Sequence, residues 1–193
     1  MRIITGTAKG TRLISPAGDA VRPTTEMAKE GVFSAIQFDL ENATFLDLFA
    51  GSGQMGLEAL SRGAKEATFV DCSEDSIAVI RKNAEKTRLS SQCRIVRSEY
   101  GEYIKTAGKR GKQFDFIFAD PPYEKDLAPE LLKRLVKAGL PKPGGLLILE
   151  TANPVLEIDK IPESVMEQVE SIKPYQFSKC HFYFVRMKNE EEV

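Results

Sequence analysis

Thr44-Phe45-Leu46-Asp47-Leu48-Phe49-Ala50-Gly51-Ser52-Gly53-Gln54-Met55-Gly56, running on into Leu57-Glu58-Ala59-Leu60-Ser61-Arg62, decides the fold of this chain. The opening residues are a short apolar run rich in strand formers, the glycines interrupt it, and Leu57–Arg62 reads as helix. A strand, a Gly-rich turn and a helix N-terminus form the nucleotide-binding corner of a doubly wound α/β sheet. Glycine lets the backbone approach a ligand closely, and the first turn of a helix offers N–H donors without partners. A second strand, Glu66-Ala67-Thr68-Phe69-Val70, ends in Asp71. It lies about twenty residues past the first glycine, where an acid bonding both ribose hydroxyls belongs. The same spacing fits the dinucleotide fingerprint, so a NAD-dependent oxidoreductase competes at this point.

Two further acids separate the readings. Asp47 stands just ahead of the glycines, near the carboxyl end of the first strand. An anion there suits a ligand with a free ammonium, as the methionine part of S-adenosyl-L-methionine carries, and repels a pyrophosphate. Its plainer role is to cap nearby loop amides. Downstream, the apolar run Phe114–Ala119 ends in Asp120-Pro121-Pro122-Tyr123. A planar base can stack on the tyrosine ring. Its exocyclic amine can donate to the Asp120 carboxylate and to the Pro121 carbonyl, both pure acceptors. The prolines fix φ and hold those acceptors in place before substrate arrives, although Pro-Pro also simply stops strands. Methyl transfer from a sulfonium releases a neutral thioether, so alignment matters more than general catalysis. It needs no metal and no catalytic histidine, and this chain has a single His, His181.

At this point the sequence resembles the bacterial 16S rRNA guanine-N2 methyltransferases of the small ribosomal subunit, a class I S-adenosylmethionine-dependent family. The residues that carry the likeness are Asp47 through Ala64, the opening Met1-Arg-Ile-Ile-Thr-Gly6, Arg22-Pro23-Thr24-Thr25 with Lys29-Glu30 and Phe33, and Asp120–Tyr123. They occur in the family's order and at similar spacings over nearly the whole chain. The resemblance implies a methyl group carried to the 2-amino group of a guanine in 16S rRNA, in an assembled or assembling small subunit. By position, it implies that Asp47, Gly51, Ser52 and Gly53, with Phe49 alongside, hold the methionine end of the cofactor. Asp71 would hold the ribose, Cys72 would lie beside the adenine, and Ser98 and Glu99 would read it. Asp120, Pro121, Pro122 and Tyr123 become the catalytic set, and Arg22 and Thr24 join Tyr123 against the substrate. Arg22-Pro23-Thr24-Thr25 could equally just introduce a helix. The chain departs from the family at Glu99, where Asp or Asn is expected, at Tyr100-Gly101, at Glu26 for Asp and at Ser34 for Asn. An adenine-N6 methyltransferase acting on DNA or RNA uses a similar residue before Pro-Pro-aromatic; the Arg-Pro-Thr head favours rRNA guanine. A non-enzymatic RNA-binding module would need neither the glycine turn nor the fixed acceptors.

Composition sets the frame. The chain has 193 residues, 42% hydrophobic and 28% charged, with net charge −1, which predicts one soluble globular domain rather than a general polyanion binder. We expect a single methyltransferase domain over 1–193, with an RNA-facing extension over 1–40 and a cofactor-binding catalytic core over 41–193. Local basic stretches remain, Arg2, Lys9, Arg12, Arg22 and Lys29 near the start and Lys105, Lys109, Arg110 and Lys112 later. Cysteines 72, 93 and 180 lack metal-ligand spacing, and no run approaches a membrane span, so a cytoplasmic protein is expected; separately, a monomer is expected. Arg2–Thr5 and Thr11–Ser15 predict a small hairpin arm, followed by a turn over Pro16–Asp19 and a helix from Thr24 or Thr25 to about Asp39. Strand and helix then alternate, with helices over Ser73–Lys86, Glu99–Thr106 and Leu127–Ala138 and a fifth strand over Gly145–Thr151. Val165–Ile172 and Cys180–Met187, turning at Lys173-Pro174, predict an antiparallel hairpin that ends a mostly parallel, Rossmann-like methyltransferase sheet.

Overall fold

A computed structural model describes residues 1–16, 25–122, 127–151 and 153–189. The strands belong to a mixed seven-stranded α/β sheet, mostly parallel and ending in an antiparallel hairpin, which is the expected class. Contacts cluster into two compact units, Met1–Tyr100 and Gly101–Val193.

In the first unit, β1 (Thr44–Leu48), β2 (Glu66–Asp71) and β3 (Cys93–Arg97) run parallel in the order β3-β2-β1, with Leu48 level with Val70 and Val70 level with Val96. Their apolar side chains, Phe45, Leu46, Leu48, Phe69 and Val70, are buried. Burial of such groups stabilises by about 1.5–3 kcal/mol each. Helix α1 (Glu26–Ile36) starts at Thr25, whose hydroxyl accepts from the Ala28 N–H, so of the two expected caps Thr25 is the one observed. Helix α2 is Gln54–Ser61, beginning inside the glycine turn, and α3 is Glu74–Thr87, capped by Ser73. Residues 1–14 fold back as the expected arm: Arg2 bridges Arg12, and Ile3 N–H donates to Thr11 O at 3.0 Å. The expected turn over Pro16–Asp19 falls outside the described residues beyond Pro16.

In the second unit, β4 (Phe114–Ala119) and β5 (Pro141–Thr151) are parallel, and β7 (Cys180–Met187) is antiparallel to both β5 and β6 (Val169–Phe177), in the order β4-β5-β7-β6. Helix α4 (Tyr100–Lys109) leads into this unit, and α5 (Ala128–Lys137) and the short α6 (Glu163–Met166) follow. The hairpin differs from expectation in two places. Val165 lies in α6 rather than in a strand, and Lys173-Pro174 lies within β6, the turn being Ser178-Lys179. Proline cannot donate to a ladder, yet β6 is an edge strand with no further strand beside it among the described residues, so Pro174 is tolerated there. Among the described residues no helix is long and apolar enough to cross a membrane.

Candidate active site

The turn between β1 and α2 is built from left-handed backbone. Phe49, Gly51 and Gly53 have φ of 69, 53 and 77°. An aromatic residue there is strained by roughly 1–3 kcal/mol, and such strain concentrates at functional turns. Phe49 is held by its N–H on Val70 O at 3.0 Å and by a tilted ring contact with Tyr100 at 5.0 Å. Gly53 stands at the N-cap of α2 and has no side chain to cap it. Asp47 does that work instead: its Oδ2 accepts from Gly56 N–H at 2.9 Å. The carboxylate is only 2% exposed. Burial pushes its pKa up to about 7, with the charge on Asp71 adding to the rise and the Gly56 bond opposing it. The side chain thus fills the capping role, and its burial makes the charged form costly.

Asp71, at the end of β2, braces the same turn. Its Oδ2 accepts from Gly51 N–H and its Oδ1 from Ser73 N–H, both at 2.8 Å. A carboxylate has about four acceptor positions, so two ligand hydroxyls can still be received. Ser98 N–H donates to Asp71 O at 3.0 Å, which brings the end of β3 alongside. Cys72 is exposed, and its thiol is pushed up by burial and by the neighbouring carboxylates of Glu99 and Asp71. Asp47, Phe49, Gly51, Ser52, Gly53, Asp71, Cys72, Ser98 and Glu99 thus all belong to strand ends and the turn of one unit.

Sequence reasoning missed the residues that hold this turn from behind. Asn83, fully buried on α3, donates through Nδ2 to Ser52 O and to Ile14 O, both at 2.9 Å, and accepts from Ile14 N–H at 2.8 Å. Ser52 Oγ also donates to Met1 Sδ at 3.3 Å. Glu58 on α2 accepts from Ile4 and Thr5 N–H at 2.8 and 3.0 Å and pairs with Lys29 at 3.3 Å and Arg62 at 2.9 Å. Burial lowers the Lys29 pKa, against the Glu58 charge that raises it. Lys29 in turn donates to Arg2 O at 2.6 Å. The arm is thereby fastened to the helices on either side of the turn. These are contacts between residues far apart in sequence; an isolated polar residue inside the amphipathic pattern of α3 was the only available sign.

In the second unit, Asp120 follows directly on β4, whose last four residues are buried, and Pro121 is buried while Pro122 is exposed. Arg22, Thr24 and Tyr123 lie outside the described residues. Glu30 is exposed on α1. Lys105, Lys109, Arg110 and Lys112 are exposed at the end of α4 and in the loop that enters β4, so they sit at the opposite end of that strand from Asp120. Among the described residues no cluster of His, Cys, Asp and Glu could hold a metal.

The sequence profile of the family described as "Conserved hypothetical protein 95" matches residues 1–184. The chain is 34% identical over 169 residues to the "Putative rRNA methyltransferase YlbH" of Bacillus subtilis, a match covering 88% of this chain and 90% of that protein. It is 32% identical over 152 residues to the ribosomal RNA small subunit methyltransferase D of Haemophilus influenzae, covering 78% of each. A solved structure, the "Putative methyltransferase yhhF" of Escherichia coli, superposes over 98% of this chain and 99% of its own with a TM-score of 0.80 and 25% identity.

Proposed function

The chain belongs to the conserved hypothetical protein 95 family, and on that premise we propose that it is an S-adenosylmethionine-dependent rRNA methyltransferase. Its target is the 2-amino group of a guanine in 16S rRNA, met in an assembled or assembling small ribosomal subunit. It acts as one methyltransferase domain, as a monomer, in the cytoplasm where that RNA resides.

The observation that carries the reading is the buried carboxylate of Asp47 directly behind a glycine turn that Asp71 braces. The residues fit the cofactor. A buried carboxylate, held by Gly56 N–H, suits an ammonium that stabilises its charged form, and a nicotinamide dinucleotide would set its phosphates against that charge. A Cβ on Gly53 would come within 3.2–3.3 Å of Ile80 and Phe69, so the turn admits only glycine without adjustment. When bound, the cofactor supplies a methyl carbon on a sulfonium. Asp47 holds the ammonium, Asp71 orients the ribose hydroxyls, and Cys72, Ser98 and Glu99 line the adenine.

Asp120 and the Pro121 carbonyl accept the two N–H bonds of the base amine, which frees and aims its lone pair. Tyr123 stacks on the base, and Arg22 and Thr24 hold its nucleotide. The amine proton leaves to Asp120 or to water.

Methyl transfer from labelled S-adenosylmethionine, with small ribosomal subunits, naked 16S rRNA and DNA offered side by side, tests this directly. Label is expected as N2-methylguanine in the subunit sample. Label in adenine would keep fold and cofactor and overturn the base; no transfer and no cofactor binding by calorimetry would overturn the whole reading.

A further inference from the structure

The second unit carries an aromatic row that the proposed chemistry does not use. Phe118, two residues before Asp120, lies 6.5 Å from Phe182 on β7; Phe182 lies 5.7 Å from Phe177 on β6; Phe177 is stacked on Tyr175 at 5.7 Å with ring planes 17° apart. Tyr175 also rests against Phe184 at 4.6 Å. The register explains why these rings share one face. Ala119 is level with Leu149, Glu150 with Phe182, and Phe182 with Tyr175, so Tyr175 stands level with the position after Ala119, that of Asp120. Three strand spacings separate them, about 14 Å.

The two ends of the row differ. Phe182 is 1% exposed and Phe184 6%, as core residues should be, whereas Tyr175 is 36% exposed on an edge strand. Lys173, Gln176, Ser178 and Lys179 around it are exposed as well. Pro174 and the lysines already guard that edge against pairing, so edge protection does not call for an aromatic pair. An exposed tyrosine and a half-buried phenylalanine, packed on core rings and flanked by cations, are a combination that suits single-stranded nucleic acid: bases stack on the rings and phosphates meet the charges. We propose that Tyr175 and Phe177 form a stacking shelf for a base that flanks the target guanine within a few nucleotides, with Lys173 and Lys179 beside its phosphates. This rests on the rRNA methyltransferase reading and adds to it a substrate contact on the terminal hairpin.

The test uses Tyr175→Leu and Phe177→Leu, which keep apolar bulk and remove the π-face, with Tyr175→Phe as the conservative partner. The substrate is whichever of small subunits or 16S rRNA the wild type methylates. The Leu variants should raise KM for RNA roughly tenfold or more, leave kcat within about threefold and leave S-adenosylhomocysteine affinity unchanged, while Tyr175→Phe behaves as wild type. The chain contains no tryptophan, so Tyr175→Trp places a single indole reporter on the shelf. Its fluorescence should be quenched saturably by that RNA and not by S-adenosylhomocysteine. An unchanged KM with no quenching overturns the shelf, and so does a lowered Tm without a change in KM, which would leave the rings a packing role only. A wild type that transfers methyl to no RNA overturns the underlying reading and this inference with it; an active wild type with indifferent variants overturns the inference alone.

Discussion

Asp47 has its chemistry set by its surroundings. Folding raises its pKa from 3.8 to about 7, chiefly because burial penalises the charge. The folded chain then holds this proton more tightly than the unfolded chain. Its contribution to stability is complete below the unfolded value and is lost as pH rises through the folded one. Thermal melts of the cofactor-free protein should therefore decline between about pH 4 and 7 by an amount that Asp47→Asn removes, since an amide oxygen can still accept from Gly56. A cationic ligand prefers the ionised form, so cofactor affinity should climb with pH and level off above about 7. Calorimetry in buffers of different ionisation enthalpy should register proton release on the rising part. A flat affinity profile would show that Asp47 only caps α2. At Asp120 the expectation differs in kind: Asp120→Ala should reduce kcat roughly 100-fold or more by losing the alignment of the amine, with S-adenosylhomocysteine affinity kept.

The elements show what a sequence can and cannot announce. The run from Thr44 to Arg62 announced a strand, a turn and a helix because apolar periodicity and glycine punctuation are local signals, and Asp71 was placed by spacing alone. Lys173-Pro174 misled because proline usually marks a turn, and only the strand order reveals that β6 is an edge. Asn83 and Glu58 were invisible for a different reason: their partners lie at Ile14, Ser52, Ile4, Thr5 and Lys29, and no short window contains both sides of those bonds. Arg22, Thr24 and Tyr123, expected at the substrate, fall outside the described residues. Two changes probe the fastening. Glu58→Gln leaves Lys29 buried beside an uncharged partner and should cost about 3–5 kcal/mol in denaturant unfolding. Asn83→Ala strands the Ser52 carbonyl and both backbone groups of Ile14, and should weaken S-adenosylhomocysteine binding although α3 supplies none of the proposed ligand contacts.

For the molecule as a whole, ligand and salt are the informative variables. A ligand that binds only the folded chain stabilises it by about 2.7 kcal/mol at a hundredfold excess over Kd, which for a protein of this size means a Tm higher by roughly 5–10 °C. S-adenosylhomocysteine should produce that shift, and NAD should not. Net charge is −1, so RNA must be held by a few local cations rather than by a general positive field. The slope of log kcat/KM against log salt should accordingly be shallow, with magnitude no more than about 4, measured with small subunits between 50 and 200 mM salt.

Cys72 has a consequence for handling and for the protein's own safety. The residue is exposed, yet partial burial and the carboxylates of Glu99 and Asp71 push its pKa up and keep it as a thiol. Only the thiolate is a competent nucleophile. An accessible cysteine beside the proposed cofactor site is thereby kept slow toward alkylation, and it should react sluggishly with iodoacetamide or peroxide at neutral pH. The acidic neighbours Asp71 and Glu99 thus also passivate the most exposed of the three cysteines.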